Sequence, residues 1–114
     1  MPNIGDIFTA LIYYKGQSGP AKARPVLVVN DLGNDWYTIV EITSVPPKSP
    51  PGYYDGFKEP IKNWWECGLD QQSYVKCSPN NVHNVEGIRL HQHIGTMNTD
   101  DFDYITDKII EYGE

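Results

Sequence analysis

The sequence predicts a mostly β (α+β) chain: a small barrel of antiparallel strands with one α-helix at the C-terminal end. Three observations predict it. Residues 26–29, Val-Leu-Val-Val, are an unbroken apolar run rich in β-branched side chains, and Pro25 stands at its head; such side chains favour pleated backbone, and proline suits the first residue of a strand. Glycine and proline clusters punctuate most of the chain at short intervals, the pattern of strands joined by turns. Only near the C-terminus do apolar residues recur at three- and four-residue spacing, as Phe102, Ile105, Ile109 and Tyr112, the stripe of an amphipathic helix.

Residues 5–14 read as the first strand. Ile7, Thr9, Leu11 and Tyr13 fall on one face, Phe8, Ala10, Ile12 and Tyr14 on the other, so both faces are largely apolar, as in a small closed barrel covered on each side. Residues 15–22 are a loop by composition: either a plain hairpin connection or a mobile flap over whatever Arg24 serves. Pro25 pushes Arg24 away from the helical region, which leaves a permanently charged side chain at the rim of a central strand. Asn30-Asp31 opens a turn that runs to Asp35. Residues 36–43 are the third strand, with Tyr37, Ile39, Glu41 and Thr43 on one face and Trp36, Thr38, Val40 and Ile42 on the other. The second set is expected to face the core, and Thr43 to share the side of Glu41, towards water or a cleft.

Residues 45–52 contain four prolines and cannot join a ladder; they form a long semi-extended loop. Residues 53–62 suggest a broken strand bent at Gly56. In residues 63–68 two adjacent tryptophans, if on a strand, point to opposite faces; Trp65 is expected in the core and Trp64 exposed. Residues 73–77 are a short strand, ended by Pro79-Asn80-Asn81, and residues 89–97 a last extended piece. Residues 98–112 are the helix: Asn98 or Thr99 caps its free amides, Asp100, Asp101 and Asp103 suit the positive end of its dipole, and Gly113 is a stop signal. These elements describe a barrel of the SH3-like kind with a helix packed on it.

At 114 residues one domain is expected, long enough for a core without staples. An apolar content of 39% with 12% aromatics excludes a disordered chain. No run reaches the roughly 18 apolar residues of a membrane span, and the start lacks a basic segment followed by an apolar one, so a soluble cytoplasmic protein with no membrane partner is expected. Cys67 and Cys77, the only cysteines, are then reduced and packed. The net charge of −6 argues against a broad basic face that coats nucleic acid or adheres to anionic lipid. It leaves room for a cleft with one or two local cations.

The chemistry narrows by residue type. His91 and His93 would share a strand face, but a third ligand is needed, His83 is the only other histidine, and no zinc spacing is present; no metal or cofactor is expected. There is no glycine-rich phosphate loop and no serine elbow. Glu41 with Asp31 or Asp35 is a candidate carboxylate pair, although acids are common in loops. What remains is Arg24 and Thr43 at the ends of adjacent strands, with Lys76 on another. A guanidinium donates two parallel hydrogen bonds to phosphate oxygens, and a hydroxyl adds a third. RNA carries its own nucleophile, the 2′-hydroxyl, so a site for it needs placement, proton transfer and positive charge. By residue type alone, a structural role for Arg24 is the more ordinary one.

Gly5-Asp6-Ile7-Phe8, then residues 22–29 (Lys-Ala-Arg-Pro-Val-Leu-Val-Val), then Ile42-Thr43-Ser44 resemble the endoribonuclease toxins called MazF, PemK or Kid. Gly68-Leu69 leading into residues 73–77, and Ile94-Gly95-Thr96-Met97 leading into an acidic-start helix, continue the match in family order over nearly the whole chain. The resemblance implies a homodimer of SH3-like barrels that cleaves single-stranded RNA, often mRNA, at short sequences without a metal, leaving a cyclic phosphate. It also implies a partner antitoxin that blocks the groove with a disordered tail. By position, Arg24 matches the family's catalytic arginine and Thr43 the threonine that hydrogen-bonds the scissile phosphate. Residues 15–22 match the gating flap, so Lys15 and Lys22, together with Ser44, Lys76 and Trp64, are the substrate-binding candidates; Tyr53, Tyr54 and Trp64 could stack on bases, with core filling the competing role. Some members carry an arginine and an aspartate around the strand that here holds Lys76 and Ser78, and a serine cannot act as the base. Residues 79–84 replace a segment that commonly holds an arginine, and bring His83 instead. The alternative is a non-catalytic binding protein of the same fold, either CcdB-like, which binds DNA gyrase and cuts nothing, or a degenerate toxin-like interaction protein.

Overall fold

Backbone register decides which side chains share a face in a sheet, and here it builds two cores back to back. The computed structural model describes residues 1–12 and 22–114. Seven strands follow in chain order: β1 (Asp6–Ile12), β2 (Lys22–Gly33), β3 (Trp36–Thr43), β4 (Lys58–Pro60), β5 (Tyr74–Lys76), β6 (Val82–Glu86) and β7 (Leu90–Thr96), with helix α1 (Thr99–Gly113) last. The strands pair in the order β4-β5-β3-β2-β1-β7, and β6 also pairs with β3. Every pair is antiparallel. The mostly β architecture with one C-terminal helix is the one expected.

Alternation along β1, β2 and β3 sends one set of side chains to each core. On one side, Ile7, Leu27, Val40 and Ile42 join Ile61, Val75, Met97, Ile105 and both cysteine side chains. On the other, Ala10, Val26, Val28, Tyr37 and Ile39 join Val85 and Leu90. The apolar run at 26–29 is therefore central and covered on both faces, as its composition required. Cys67 and Cys77 are buried and unbridged; burial pushes the Cys77 thiol up to about 12.

Helix α1 forms where its local signals place it. The Asn98 side-chain oxygen accepts from the amides of Asp100 at 2.9 Å and Asp101 at 3.4 Å, as a cap should. Ile105 is fully buried, and Phe102, Ile109 and Tyr112 pack beside it on the larger core. Asp101 is itself buried and accepts the Asn63 amide at 2.9 Å.

Four expectations are corrected. The β2–β3 turn is shorter than the expected 31–35: β2 runs on to Gly33 through two register shifts, and only Asn34-Asp35, both with positive φ, make the turn. Residues 53–57 are a 3-10 turn, and only Lys58–Pro60 is strand. Val82–Glu86 is a strand that the composition did not announce, because only Val85 among its five residues is buried. The Trp pair lies on a 3-10 turn, Trp64–Cys67, where successive side chains step around an axis rather than alternate. Trp64 packs against the larger core, and Trp65 is 60% exposed, the reverse of the strand reading.

Candidate functional site

The residues singled out by type converge where β3 changes partners. The first part of β3, Trp36 to Val40, pairs with β6; Ile42 and Thr43 pair with β5. Glu41 stands at the fork. Val26 of β2 lies opposite it, and two residues along the same face of β2 comes Arg24. Arg24, Glu41, Thr43, Lys76 and His83 therefore project to one side of the sheet, the side of the smaller core.

Glu41 is 1% exposed, so the face it shares with Thr43 does not point to water. A buried carboxylate requires partners, and three donors supply them. Asn81 Nδ2 donates to its Oε2 at 3.0 Å, His83 Nε2 lies 2.9 Å from the same oxygen, and Lys76 Nζ stands 3.9 Å from Oε1. Asp31 and Asp35 are not among them. They sit at the β2–β3 hairpin, where burial first, then these two charges, raise the pKa of Tyr37. The carboxylate pair considered from sequence is not formed.

Arg24 is half-buried, and its Nε is a buried donor with no hydrogen-bond partner among the described residues. Thr43, 4% exposed, accepts the Val45 amide at 3.1 Å through Oγ1, which fixes the hydroxyl where the chain leaves β3. Ser44 beside it is exposed. Lys76 is partly buried. Burial lowers its pKa below the usual lysine range, the Arg24 and Lys58 charges push the same way, and Glu41 opposes them. The cluster thus holds two cations, one carboxylate, one imidazole and a hydroxyl around a single fork. That set can bind a phosphodiester and move protons near it.

Not every candidate belongs. Lys15 lies outside the described residues, and Lys22 is placed by its backbone alone, opposite Ile12 at the start of β2. Trp64 packs on the core built from Val40 and Ile42, the face of β3 opposite to Glu41, whereas Tyr53 is exposed. His93 contacts Asp6 at 3.3 Å, away from the fork. There burial works to raise the Asp6 pKa, but the Asn3 amide, the Thr96 hydroxyl and His93 together hold it below the usual range. The residue that sequence reasoning undervalued is Glu41. Its parity with Tyr37 and Ile39 is visible in the sequence; the strand paired beside it, β6, which brings His83 to its carboxylate, is not.

Comparison with known proteins agrees with the geometry. No curated protein matches the chain. Among solved structures, the Mycobacterium tuberculosis toxin MazF-mt6 is similar, with a TM-score of 0.66 at 21% identity over 95% of each chain. The MazE-MazF structure from Deinococcus radiodurans is similar with a TM-score of 0.69 at 12% identity, covering 96% of this chain and 93% of that one. A mycobacterial endoribonuclease in complex with its cognate antitoxin has a TM-score of 0.66 at 14% identity, covering 97% and 91%. At these identities the likeness is one of fold. The family model for the PemK-like, MazF-like toxin of type II toxin-antitoxin system matches residues 3–112, and the chain belongs to that family.

Proposed function

We propose that this protein is a cytoplasmic endoribonuclease toxin that cleaves single-stranded RNA by attack of a ribose 2′-hydroxyl on the adjacent phosphorus, working as a homodimer and silenced by a cognate antitoxin. The observation that carries the reading is the Arg24 guanidinium. It is half-buried on the same sheet face as Thr43, with a buried Nε donor that nothing in the described residues satisfies. A buried donor without an acceptor costs free energy on the order of 1–3 kcal/mol, and a phosphate oxygen removes that cost. Arg24 then stabilises the charge that accumulates on the phosphorane oxygens, where a fixed cation in a water-poor site has most effect. The Thr43 hydroxyl donates to a second oxygen, and Lys76 and Ser44 steady the strand beside it. Because the nucleophile comes with the substrate, the reaction is expected to run in the presence of a chelator.

The test is cleavage of a long single-stranded RNA of mixed sequence in chelator, with product ends mapped. Discrete cuts ending in a cyclic phosphate, lost in Arg24→Ala at unchanged folding, support the reading. Intact RNA with the wild-type protein overturns it and leaves a binding protein of the same fold.

A further inference from the structure

We infer that His83 is the proton acceptor for the 2′-hydroxyl, held in its working tautomer by Glu41; the inference rests on the endoribonuclease reading above. The family resemblance leaves the base unassigned in this chain, because Ser78 stands where an acid would be needed. The fork supplies another group. His83 lies on β6 opposite Ile39, its side chain 34% exposed and its Nε2 2.9 Å from a carboxylate that is almost wholly buried.

That arrangement dictates the tautomer. An ionised carboxylate only accepts hydrogen bonds, so the imidazole nitrogen facing Glu41 carries the proton. Nδ1 is then left with its lone pair free, which is the state a base needs. Glu41 is not assigned as the base itself, because its carboxylate oxygens are already engaged by Asn81, His83 and Lys76. It can orient the ring and stabilise the imidazolium once formed, the division of labour between a buried acid and a histidine in acyl-transfer triads. Asn81 donates to the same Oε2 and fixes the carboxylate. Among the described residues, Lys76 from β5 and Arg24 from β2, both cations, share the face of the pair. Lys76 feels the charges of both Glu41 and Arg24, so the phosphate cation, the carboxylate and the second cation form one electrostatic unit.

The step balances within these groups. The 2′-hydroxyl proton passes to His83 Nδ1 as the O2′–P bond forms. The P–O5′ bond breaks, and the departing 5′ oxygen takes a proton from the Lys76 ammonium, whose pKa burial has already lowered. The products are a 2′,3′-cyclic phosphate and a 5′-hydroxyl, and exchange with water returns both side chains to their starting states.

His83→Gln is the test, because a glutamine amide can still donate to Glu41 and spare the buried charge. Thermal unfolding checks the fold. Cleavage by the wild type with an acidic limb in its kcat/KM profile, and a fall of about 100-fold or more with loss of that limb in His83→Gln, are expected. A variant that cuts as fast as wild type, or that is slower but keeps the same limb, overturns the assignment while the endoribonuclease reading stands. A wild type that cuts no RNA overturns both. For the case in which the variant does not fold, the wild-type His83 imidazole resonance is followed while a 2′-deoxy copy of the cleaved oligonucleotide is added. A shift is expected, and an unmoved resonance at saturating ligand overturns the proposal.

Discussion

Gly95 and Cys67 meet backbone to backbone: a Cβ on Gly95 would lie 2.3 Å from the Cys67 carbonyl oxygen. The contact is reciprocal. A Cβ on Gly68, which has φ +83, would lie 2.3 Å from the Ile94 carbonyl oxygen. Two glycines one residue from each other's contacts thus let the Trp64–Cys67 turn lie flat on β7. Gly95→Ala forces the two segments apart and is expected to cost about 1–3 kcal/mol, the range of core overpacking, read as a lower urea midpoint at unchanged slope. Equal midpoints for variant and wild type would show that the close approach is not needed.

The helix cap gives a smaller effect. Asn98 holds two amides of the first turn of α1 and donates to Glu66 Oε2 at 3.0 Å. Asn98→Ala is expected to lose about 1 kcal/mol, and Asn98→Asp, which keeps the acceptor, less. Chemical denaturation followed at Trp65 measures both.

Acid should loosen the proline-rich loop before the sheet. Asp55 accepts the Gly52 amide at 2.7 Å and the Lys48 amide at 3.1 Å, and pairs with Lys58 at 3.1 Å. The Gly52 amide, then the Lys48 amide, against the opposing effect of burial and with help from Lys58, hold its carboxyl at about 2, below the ordinary 3.8. The folded state binds this proton more weakly than the unfolded chain, so its contribution is fully present above pH 3.8 and is lost as pH falls towards 2. Asp55→Asn is expected to flatten the stability profile over that window, and parallel wild-type and variant profiles would contradict it.

Alkali acts where α1 packs on β4. Tyr104 and Tyr112 of α1 both donate to Glu59 of β4. The Glu59 hydrogen bond, then burial, push Tyr104 up to about 12; burial, then the Glu59 hydrogen bond, do the same for Tyr112. Both groups keep their protons better folded than unfolded. The stability they confer is intact below pH 10 and declines as pH rises towards 12. Glu59→Gln is expected to bring both tyrosines down in a spectrophotometric titration; unchanged midpoints would mean that burial alone sets them.

At the fork, Thr43 separates binding from scaffold. Thr43→Ser keeps the hydroxyl and is expected to retain cleavage. Thr43→Val keeps the shape, removes a phosphate donor, and is expected to lose about 100-fold in kcat with little change in thermal stability. RNA cleavage rates and melting curves on the same preparations decide between a catalytic and a purely structural hydroxyl.

What could be read in advance was what depends on neighbours in the chain. The stripe from Phe102 to Tyr112 and the Asn98 cap are local, and α1 follows them to within a residue. The parity that puts Glu41 beside Thr43 is local too. Which strands lie side by side is not: β6 buries only Val85, so nothing in its own composition marks it, yet it pairs with β3 and brings His83 to Glu41. The tryptophan exchange has the same origin. Trp64 and Trp65 were assigned by the two-residue period of a strand, and a short 3-10 turn obeys a three-residue one. The turn expected over 31–35 shortens for another reason: Asn30-Asp31 and Asn34-Asp35 are both turn-formers, and the pair with left-handed backbone is the one next to Gly33.

The split allegiance of β3 has a consequence for how such a protein can diversify. A strand that hands over from one neighbour to another is held on each side by ladder hydrogen bonds, which do not depend on the side chains at the handover. Lys76 and His83 stand on the two different partners, so exchanging them together with Glu41 would alter the chemistry at the fork while the backbone that presents it stays in place.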